Sequence, residues 1–187
     1  MIETQIQATK MKSFFCTFLM LCSLNLFAAP VEVNQEHQTI KALSDQEING
    51  FLKGKGMGQG KPAELNNYPG PRHVMELSNK LNLTDDQLNE TQKIFKTMQS
   101  TSIKYGELLI KKEMEIENMF HEKIAESKKL EKLITESAIL KSKIRYAHLV
   151  AHIQQKALLT DHQIHTYNQL RAYVDGKFKP ANKHHHH

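Results

Sequence analysis

The sequence has few cysteines and, after residue 28, no apolar run long enough to span a membrane. Its two cysteines, Cys16 and Cys22, both lie within the first 28 residues. A chain that loses this segment keeps no thiol, so packing alone, without a disulfide, must hold its fold. After Ala28 no stretch approaches the roughly 20 apolar residues that a membrane-spanning helix needs.

Residues 1–28 have the pattern of a secretory signal peptide, because a charged start at Met11-Lys12 precedes a short apolar run that ends in small residues. We predict cleavage after Ala28, since a cut one residue later would leave Pro30 directly after the scissile bond. The residues before Met11 either extend the leader or reflect a start codon assigned too early. Leu21 precedes Cys22 where a lipoprotein signal needs a small residue. We therefore expect a soluble protein in the periplasm of a Gram-negative bacterium.

The charge balance argues against nucleic-acid binding. Loss of Glu3, Lys10 and Lys12 with the leader leaves 23 basic and 19 acidic residues, a net charge of +4 against +5 for the whole chain. No basic stretch is interleaved with aromatic residues, so we expect no nucleic-acid partner. No serine, cysteine or histidine nucleophile has a base and an orienting group at a suitable spacing, so we predict no enzymatic activity and no required cofactor.

A five-residue box, Leu-Thr-x-x-Gln, occurs at residues 83–87 and again at residues 159–163. In each copy the threonine is placed to cap a helix N-terminus, and the glutamine three residues later can reach back to the cap. A related box, Leu43-Ser44-Asp45-Gln46-Glu47-Ile48, predicts a short helix that ends before Gly54. The residues of the two main capping boxes are Leu83, Thr84, Gln87, Leu159, Thr160 and Gln163.

The apolar periodicity predicts an all-α fold. A helix of roughly 35 residues begins at Asp85, with Met98 and Met119 on its apolar stripe and Met114 off it. After a break between His121 and Lys128, a second long helix returns antiparallel to the first. Shorter helices are expected from Pro71 to about Leu81 and from the second box to about Val174, and no strand pattern competes. The architecture is a long antiparallel helical hairpin with shorter flanking helices.

This pattern divides the chain into four parts. They are a signal peptide over 1–28, a flexible N-terminal arm with a short helix over 29–60, a helical domain over 61–176, and a flexible His-tipped tail over 177–187. The alternating glycines from Gly54 to Gly60 lack the Gly-Lys-Ser/Thr ending of a phosphate loop, so we interpret them as a flexible linker. Two helices this long leave a broad lateral face, and we expect a homodimer.

The two boxes, the signal peptide and the stretch from Gly56 to Leu77 resemble the periplasmic Leu-Thr-x-x-Gln family. That family groups Spy/CpxP-type refolding chaperones with ZraP- and CnrX-type heavy-metal proteins. The resemblance implies a four-helix hooked hairpin that dimerises into a shallow cradle without enzymatic activity. It also implies an ATP-independent chaperone for unfolded or misfolded envelope proteins, or a sensor in the response to envelope stress.

Basic side chains on the two long helices are candidates for client binding. They would attract acidic or flexible clients, while exposed methionine and leucine side chains adapt to varied sequences. The alternative is that they form an ordinary solvated helix face. The residues are Lys104, Lys111, Lys112, Lys141, Lys143 and Arg145.

Histidines support a second hypothesis, a heavy-metal sensor or buffer. His148 and His152 lie four residues apart, on one face of a helix, and His73 precedes the first box with Met75 and Glu76 beside it. Brought together, these side chains would suit a divalent transition metal: Zn(II), Cu(II), Ni(II) or Co(II). Alternatively, the His148–His152 pair caps the edge of the core.

The C-terminal run of His184, His185, His186 and His187 is either a natural metal-binding tail or a remnant of a purification tag. A third hypothesis makes the protein a structural regulator that docks on a membrane sensor kinase or an anti-sigma system. Such a protein would show neither chaperone activity nor metal binding in isolation.

Overall fold

A computed structural model describes residues 40–174 and 177–178. The predicted signal peptide and the histidine tail lie outside the described residues. The elements in chain order are helices α1 (Asp45–Leu52), α2 (Lys61–Glu64), α3 (Pro71–Glu76), α4 (Asp85–His121), α5 (Ser127–Leu158) and α6 (Asp161–Leu170), then strands β1 (Tyr173–Val174) and β2 (Lys177–Phe178). The regular secondary structure of the described part is therefore helical apart from one very short ladder.

The two long helices, α4 and α5, pack together. The Gln155 side-chain amide donates to Thr91 Oγ1 at 3.0 Å, and Lys141 Nζ lies 3.2 Å from Glu113 Oε1. Early residues of α4 thus meet late residues of α5, and later residues of α4 meet earlier ones of α5, so the helices run in opposite directions. The all-helical class and the packing of two long helices are confirmed.

The capping boxes begin the helices that the sequence predicted. Thr84 Oγ1 accepts from the backbone amide of Gln87 at 3.1 Å, and Gln87 Oε1 accepts from the backbone amide of Thr84 at 3.1 Å. Thr160 and Gln163 make the same pair of bonds at 3.2 and 2.9 Å. Ser44 caps α1 in the same way. Each bond satisfies an amide that the first helical turn leaves unpaired.

Helix α3 is shorter than predicted. It begins at Pro71, as expected, but ends at Glu76 and not near Leu81. Asn82 has a left-handed φ of 48°, and Thr84 is extended with ψ 160°. The chain must leave the helix before these residues so that Thr84 can cap α4.

A ladder of two residues per strand follows the last helix and was not predicted from the sequence pattern. Helix α6 ends at Leu170, earlier than the predicted Val174, and Ala172 has a left-handed φ of 56°. Tyr173 then pairs antiparallel with Phe178, and Val174 with Lys177. A ladder this short carries no alternation of apolar residues that a sequence pattern would reveal.

Residues 40–52, which belong to the segment predicted as an N-terminal arm, pack against the long helices. Ile40, Leu43 and Phe51 are buried in one apolar cluster with Leu109 of α4 and Ile144 of α5. Helix α1 therefore belongs to the helical domain. Its apolar side chains are few and separated by polar residues, which made the segment resemble a solvated arm in the sequence.

The core consists of two apolar clusters separated by polar side chains. The first apolar cluster, just described, surrounds the middle of α4. The second joins α3 to α6 and contains Val74, Leu81, Leu159, Ile164 and Tyr167. Along α4 between them are buried Thr91 and Ser102, and opposite them on α5 are buried His148, His152 and Gln155. We call these five residues the polar layer. Within residues 40–174 and 177–178, no helix is both long and apolar enough to cross a membrane.

Candidate functional site

A cavity of about 850 Å³ lies beside the polar layer. Its wall includes His73 of α3 and both His148 and His152 of α5. Residues of the glycine-containing segment 54–60 and of the start of α3 also line it. We call this space the histidine cavity. All three histidines that the sequence proposed as metal ligands line it.

His148 is buried, with its Nε2 atom 3.3 Å from Ser102 Oγ. The other side of its ring faces Gly56, where an added Cβ atom would lie 3.8 Å from Cε1 and Nδ1. Burial, and secondarily the neighbouring His152, lower the pKa of His148. The ring is therefore neutral near pH 7, and its contact with Ser102 is a hydrogen bond between uncharged groups.

His152 is held between α5 and the chain before α3. Its Nδ1 atom lies 2.7 Å from the Tyr68 carbonyl oxygen and 3.5 Å from Glu64 Oε2. Glycine at position 70 gives the ring room, because an added Cβ atom there would lie 2.9 Å from His152 Cε1. Because a carbonyl oxygen can only accept, the Nδ1–H group of His152 donates this hydrogen bond to Tyr68.

Glu64 joins α2 to α6 and lies at the edge of the cavity. The Tyr167 hydroxyl donates to Glu64 Oε1, and the Gly70 amide donates to the Tyr167 hydroxyl at 3.4 Å. Arg171 Nε lies 3.8 Å from the same carboxylate. Burial, and then the charge of Glu64, raise the pKa of Tyr167, so its hydroxyl remains protonated and continues to donate. The sequence carries no signal for this network, because Glu64 stands in a polar segment without periodicity.

Met75 and Glu76, which the sequence proposed beside His73, also line the histidine cavity. His73 Nδ1 lies 2.9 Å from Glu76 Oε2, Arg72 Nε lies 3.1 Å from Glu76 Oε1, and Met75 is part of the wall. In the part of the chain that the structure describes, however, no three histidine, cysteine or acidic side chains are grouped closely enough to hold a metal ion. His184, His185, His186 and His187 lie outside the described residues.

The six basic side chains proposed for client binding fall into two sets. Lys112 lies 3.0 Å from Glu115 and 3.1 Å from Glu136, and Lys141 pairs with Glu113, so the charges of these two lysines are compensated. The others have no ion pair among the described residues. Lys104 and Lys143 lie 5.9 and 5.0 Å from the ring centre of Tyr105, and Lys111 and Arg145 are exposed.

Three large apolar side chains are exposed along the solvent face of α5. Ile139, Tyr146 and Ile153 are 48%, 70% and 57% exposed. They are seven residues apart, and because seven residues make nearly two helical turns, all three lie on one face. We call them the α5 stripe. The sequence analysis followed the buried stripe of this helix and did not single out the exposed one.

No protein-family model, curated protein or solved structure matches this chain. The functional interpretation therefore depends on the histidine cavity, the α5 stripe and the residue patterns of the sequence.

Proposed function

We propose that the protein is an exported stress protein that binds unfolded or misfolded envelope proteins without ATP. The observation that carries this proposal is the α5 stripe, in which Ile139, Tyr146 and Ile153 remain exposed on one helix face. Soluble proteins seldom leave large apolar side chains aligned in this way unless the surface binds a partner.

The surroundings of the α5 stripe suit weak binding of varied clients. Lys143 and Arg145 are exposed beside Tyr146 and have no ion pair among the residues described. Such cations attract acidic segments over distances of several ångströms, while the apolar side chains bury client residues after contact. Because burying one such side chain contributes only about 1.5–3 kcal/mol, single contacts remain reversible.

Location and assembly are parts of the same proposal. The charged start and short apolar run of residues 1–28 support export to the periplasm. The resemblance to the Leu-Thr-x-x-Gln family supports a hooked four-helix hairpin that dimerises into a cradle, and the opposite directions of α4 and α5 are compatible with it. A non-enzymatic role and a regulatory contact with a membrane sensor kinase or an anti-sigma system remain predictions.

The test is suppression of aggregation. Reduced α-lactalbumin aggregates on its own, and the purified chain at an equimolar ratio should slow the rise in light scattering. The triple variant I139S/Y146S/I153S should lose this protection. The matched control is L108S/M114S, because Leu108 and Met114 are exposed on α4 at 39% and 38%. Circular dichroism and thermal unfolding confirm that both variants fold.

The oligomeric state separates client binding from dimer formation. Multi-angle light scattering should give the same mass for the wild type and for the triple variant of the α5 stripe if the stripe binds clients. A wild type that gives no protection would contradict the chaperone proposal. A triple variant that dissociates into monomers yet still protects would assign the α5 stripe to the dimer interface.

Metal binding is a second candidate function, favoured by the ring nitrogens of the histidine pair. Tyr68 fixes Nδ1 of His152, and Ser102 lies beside Nε2 of His148. His152 Nε2 and His148 Nδ1 are then the ring nitrogens that would bind a metal. A hydrogen bond at the other ring nitrogen commonly supports a metal-bound histidine. The neutral state of His148 suits this role, since only unprotonated imidazole coordinates a metal.

Calorimetric titration with Zn(II) and Cu(II) tests the metal hypothesis. The chain should end at Lys183 in this experiment, so that residues 184–187 do not contribute. Stoichiometric binding with a sub-micromolar Kd, lost in H148A/H152A, would support a metal centre. The matched control is H162A/H165A, which removes two exposed histidines beside the second capping box. Absence of tight binding would leave the pair as hydrogen-bonded core residues.

A further inference from the structure

The histidine cavity has the size of a small-molecule site. Its volume of about 850 Å³ lies within the roughly 300–1,000 Å³ typical of pockets that enclose a ligand. Glycines at positions 54, 56, 58, 60 and 70 line it and contribute no side chains to fill it. The segment that looked like a flexible linker in the sequence is therefore one wall of a cavity.

Part of the cavity wall is apolar. Phe95 and Met98 of α4 and Met75 and Pro71 of α3 all line it. Methionine side chains are flexible and polarisable, so they adapt to an alkyl chain or an aromatic ring. This part of the wall suits the hydrophobic portion of a ligand.

Uncompensated positive charge borders the same space. Lys53, Lys55 and Lys61 line the cavity, and none has an ion pair among the described residues. The two carboxylates in the wall already have partners. Glu76 contacts Arg72 and His73. Glu64 accepts a hydrogen bond from Tyr167 and contacts His152 and Arg171. The three lysines are thus available to an anion from outside.

Two backbone amides of the glycine-containing segment have no hydrogen bond, among the described residues, that would compete with an anion. The amides of Gly56 and Gly58 donate to no group within residues 40–174 and 177–178. Glycine residues let an anion approach such amides closely, since no Cβ atom blocks the approach. The lysines and these amides lie on one segment, whereas Phe95 and Met98 lie on α4.

We propose that the histidine cavity binds one molecule of an anionic amphiphile. Its acidic head lies among Lys53, Lys55 and Lys61, and its apolar chain lies along Phe95, Met98 and Met75. A medium-chain alkyl carboxylate is the simplest member of this class. This site is separate from the α5 stripe, and it does not depend on the chaperone proposal.

The first experiment compares three ligands with the same chain length, each at concentrations where it is dissolved as a monomer. Decanoate should bind the purified chain with a stoichiometry of one, and decylammonium and decanol should bind at least tenfold more weakly. With methyl-labelled methionine, decanoate should shift the NMR signals of Met75 and Met98 but not that of Met114, which is exposed outside the cavity. Equal binding of decylammonium, or a shift confined to Met114, would overturn the proposal.

Two variants test the site itself. Gly56 has no left-handed φ, and a Cβ atom there would be in ordinary contact with His148, so G56L fills the cavity without straining the backbone. K55E/K61E reverses two charges at its border. Each variant should weaken decanoate binding at least tenfold. The control K80E/K96E changes the same charge at exposed positions outside the cavity and should bind within twofold of the wild type.

A membrane lipid could present the same chemistry as a free acid, and vesicles of phosphatidylglycerol distinguish the two. Decanoate binding without cosedimentation on vesicles assigns a free amphiphile as the ligand. Cosedimentation that G56L abolishes together with decanoate binding assigns a membrane lipid that enters the cavity. If G56L or K55E/K61E retains full decanoate binding, the proposal is wrong.

Discussion

Gln87 and Gln163 are joined by two reciprocal hydrogen bonds, in which each side-chain amide donates to the other's Oε1 atom at 2.9 Å. Each amide also donates to a backbone carbonyl, Gln87 to Leu158 at 3.0 Å and Gln163 to Leu81 at 3.2 Å. Both glutamines meanwhile complete their own capping boxes. The two copies of the Leu-Thr-x-x-Gln box therefore form one structural unit that joins the beginnings of α4 and α6.

Because the two glutamines share bonds, we expect their substitutions to be non-additive. Q87A and Q163A should each lower the free energy of unfolding by about 1–3 kcal/mol, since each leaves partly buried polar groups unpaired. The double variant should cost less than the sum, with a coupling energy of about 0.5–3 kcal/mol. Urea unfolding of the three variants measures this. Q92A, at an exposed position on α4, is the control, and simple additivity would show that the pair contributes nothing.

The sequence predicted the local features of the fold well. Helix starts at Asp85 and Asp161 follow from capping chemistry within four residues, and the buried positions of Met98 and Met119 follow from helical periodicity. The pairing of Gln87 with Gln163 could not be foreseen, because the box uses only the Oε1 atom of each glutamine and does not specify a partner for its NH2 group. Only the folded chain shows that the boxes meet.

The histidine cavity shows a different limit of prediction. The sequence singled out His73, His148 and His152, and the structure places all three in the cavity wall. Glu64 and Tyr167 were missed, since their contact spans 103 positions along the chain and has no local signal. The cavity is open because the glycines that line it have no side chains, and a sequence pattern does not show where such a space will form.

Thr91 and Gln155 form a buried polar contact whose removal should depend on whether one or both partners change. Gln155 donates to Thr91 Oγ1 at 3.0 Å, while its Oε1 atom has no hydrogen-bond partner among the described residues. T91V should cost about 1–3 kcal/mol because it also leaves the Gln155 amide unpaired. T91V/Q155M should unfold within about 1 kcal/mol of the wild type, since both polar groups are then replaced by apolar ones. Chemical denaturation of both variants decides this, and a double variant less stable than T91V would contradict it.

Gly106 should resist replacement by alanine although it lies inside a helix. Alanine is the better helix former by about 1 kcal/mol. A Cβ atom at position 106, however, would lie 2.6 Å from the Phe51 carbonyl oxygen, so α1 would have to move away from α4. We expect G106A to lower the free energy of unfolding by about 1–3 kcal/mol. Amide exchange in α1 should quicken. S100A, at an exposed position of α4, is the control, and a stabilised G106A would show that α1 does not pack closely on α4.

His148 should make stability depend on pH below neutrality. Burial lowers its pKa, so below the ordinary value near 6.5 the unfolded chain binds a proton that the folded chain does not. Acid therefore favours unfolding, and stability falls as the pH decreases from about 6.5 toward the folded-state pKa. Above about 7 this contribution is constant.

H148Q removes the titrating ring but retains groups that can bond to Ser102, so its unfolding free energy should fall less between pH 7.5 and pH 5.5. Urea unfolding in a chelating buffer measures the difference, with H162Q as the exposed control. Parallel pH profiles for H148Q and the wild type would show that His148 is protonated as readily in the folded chain as in the unfolded one.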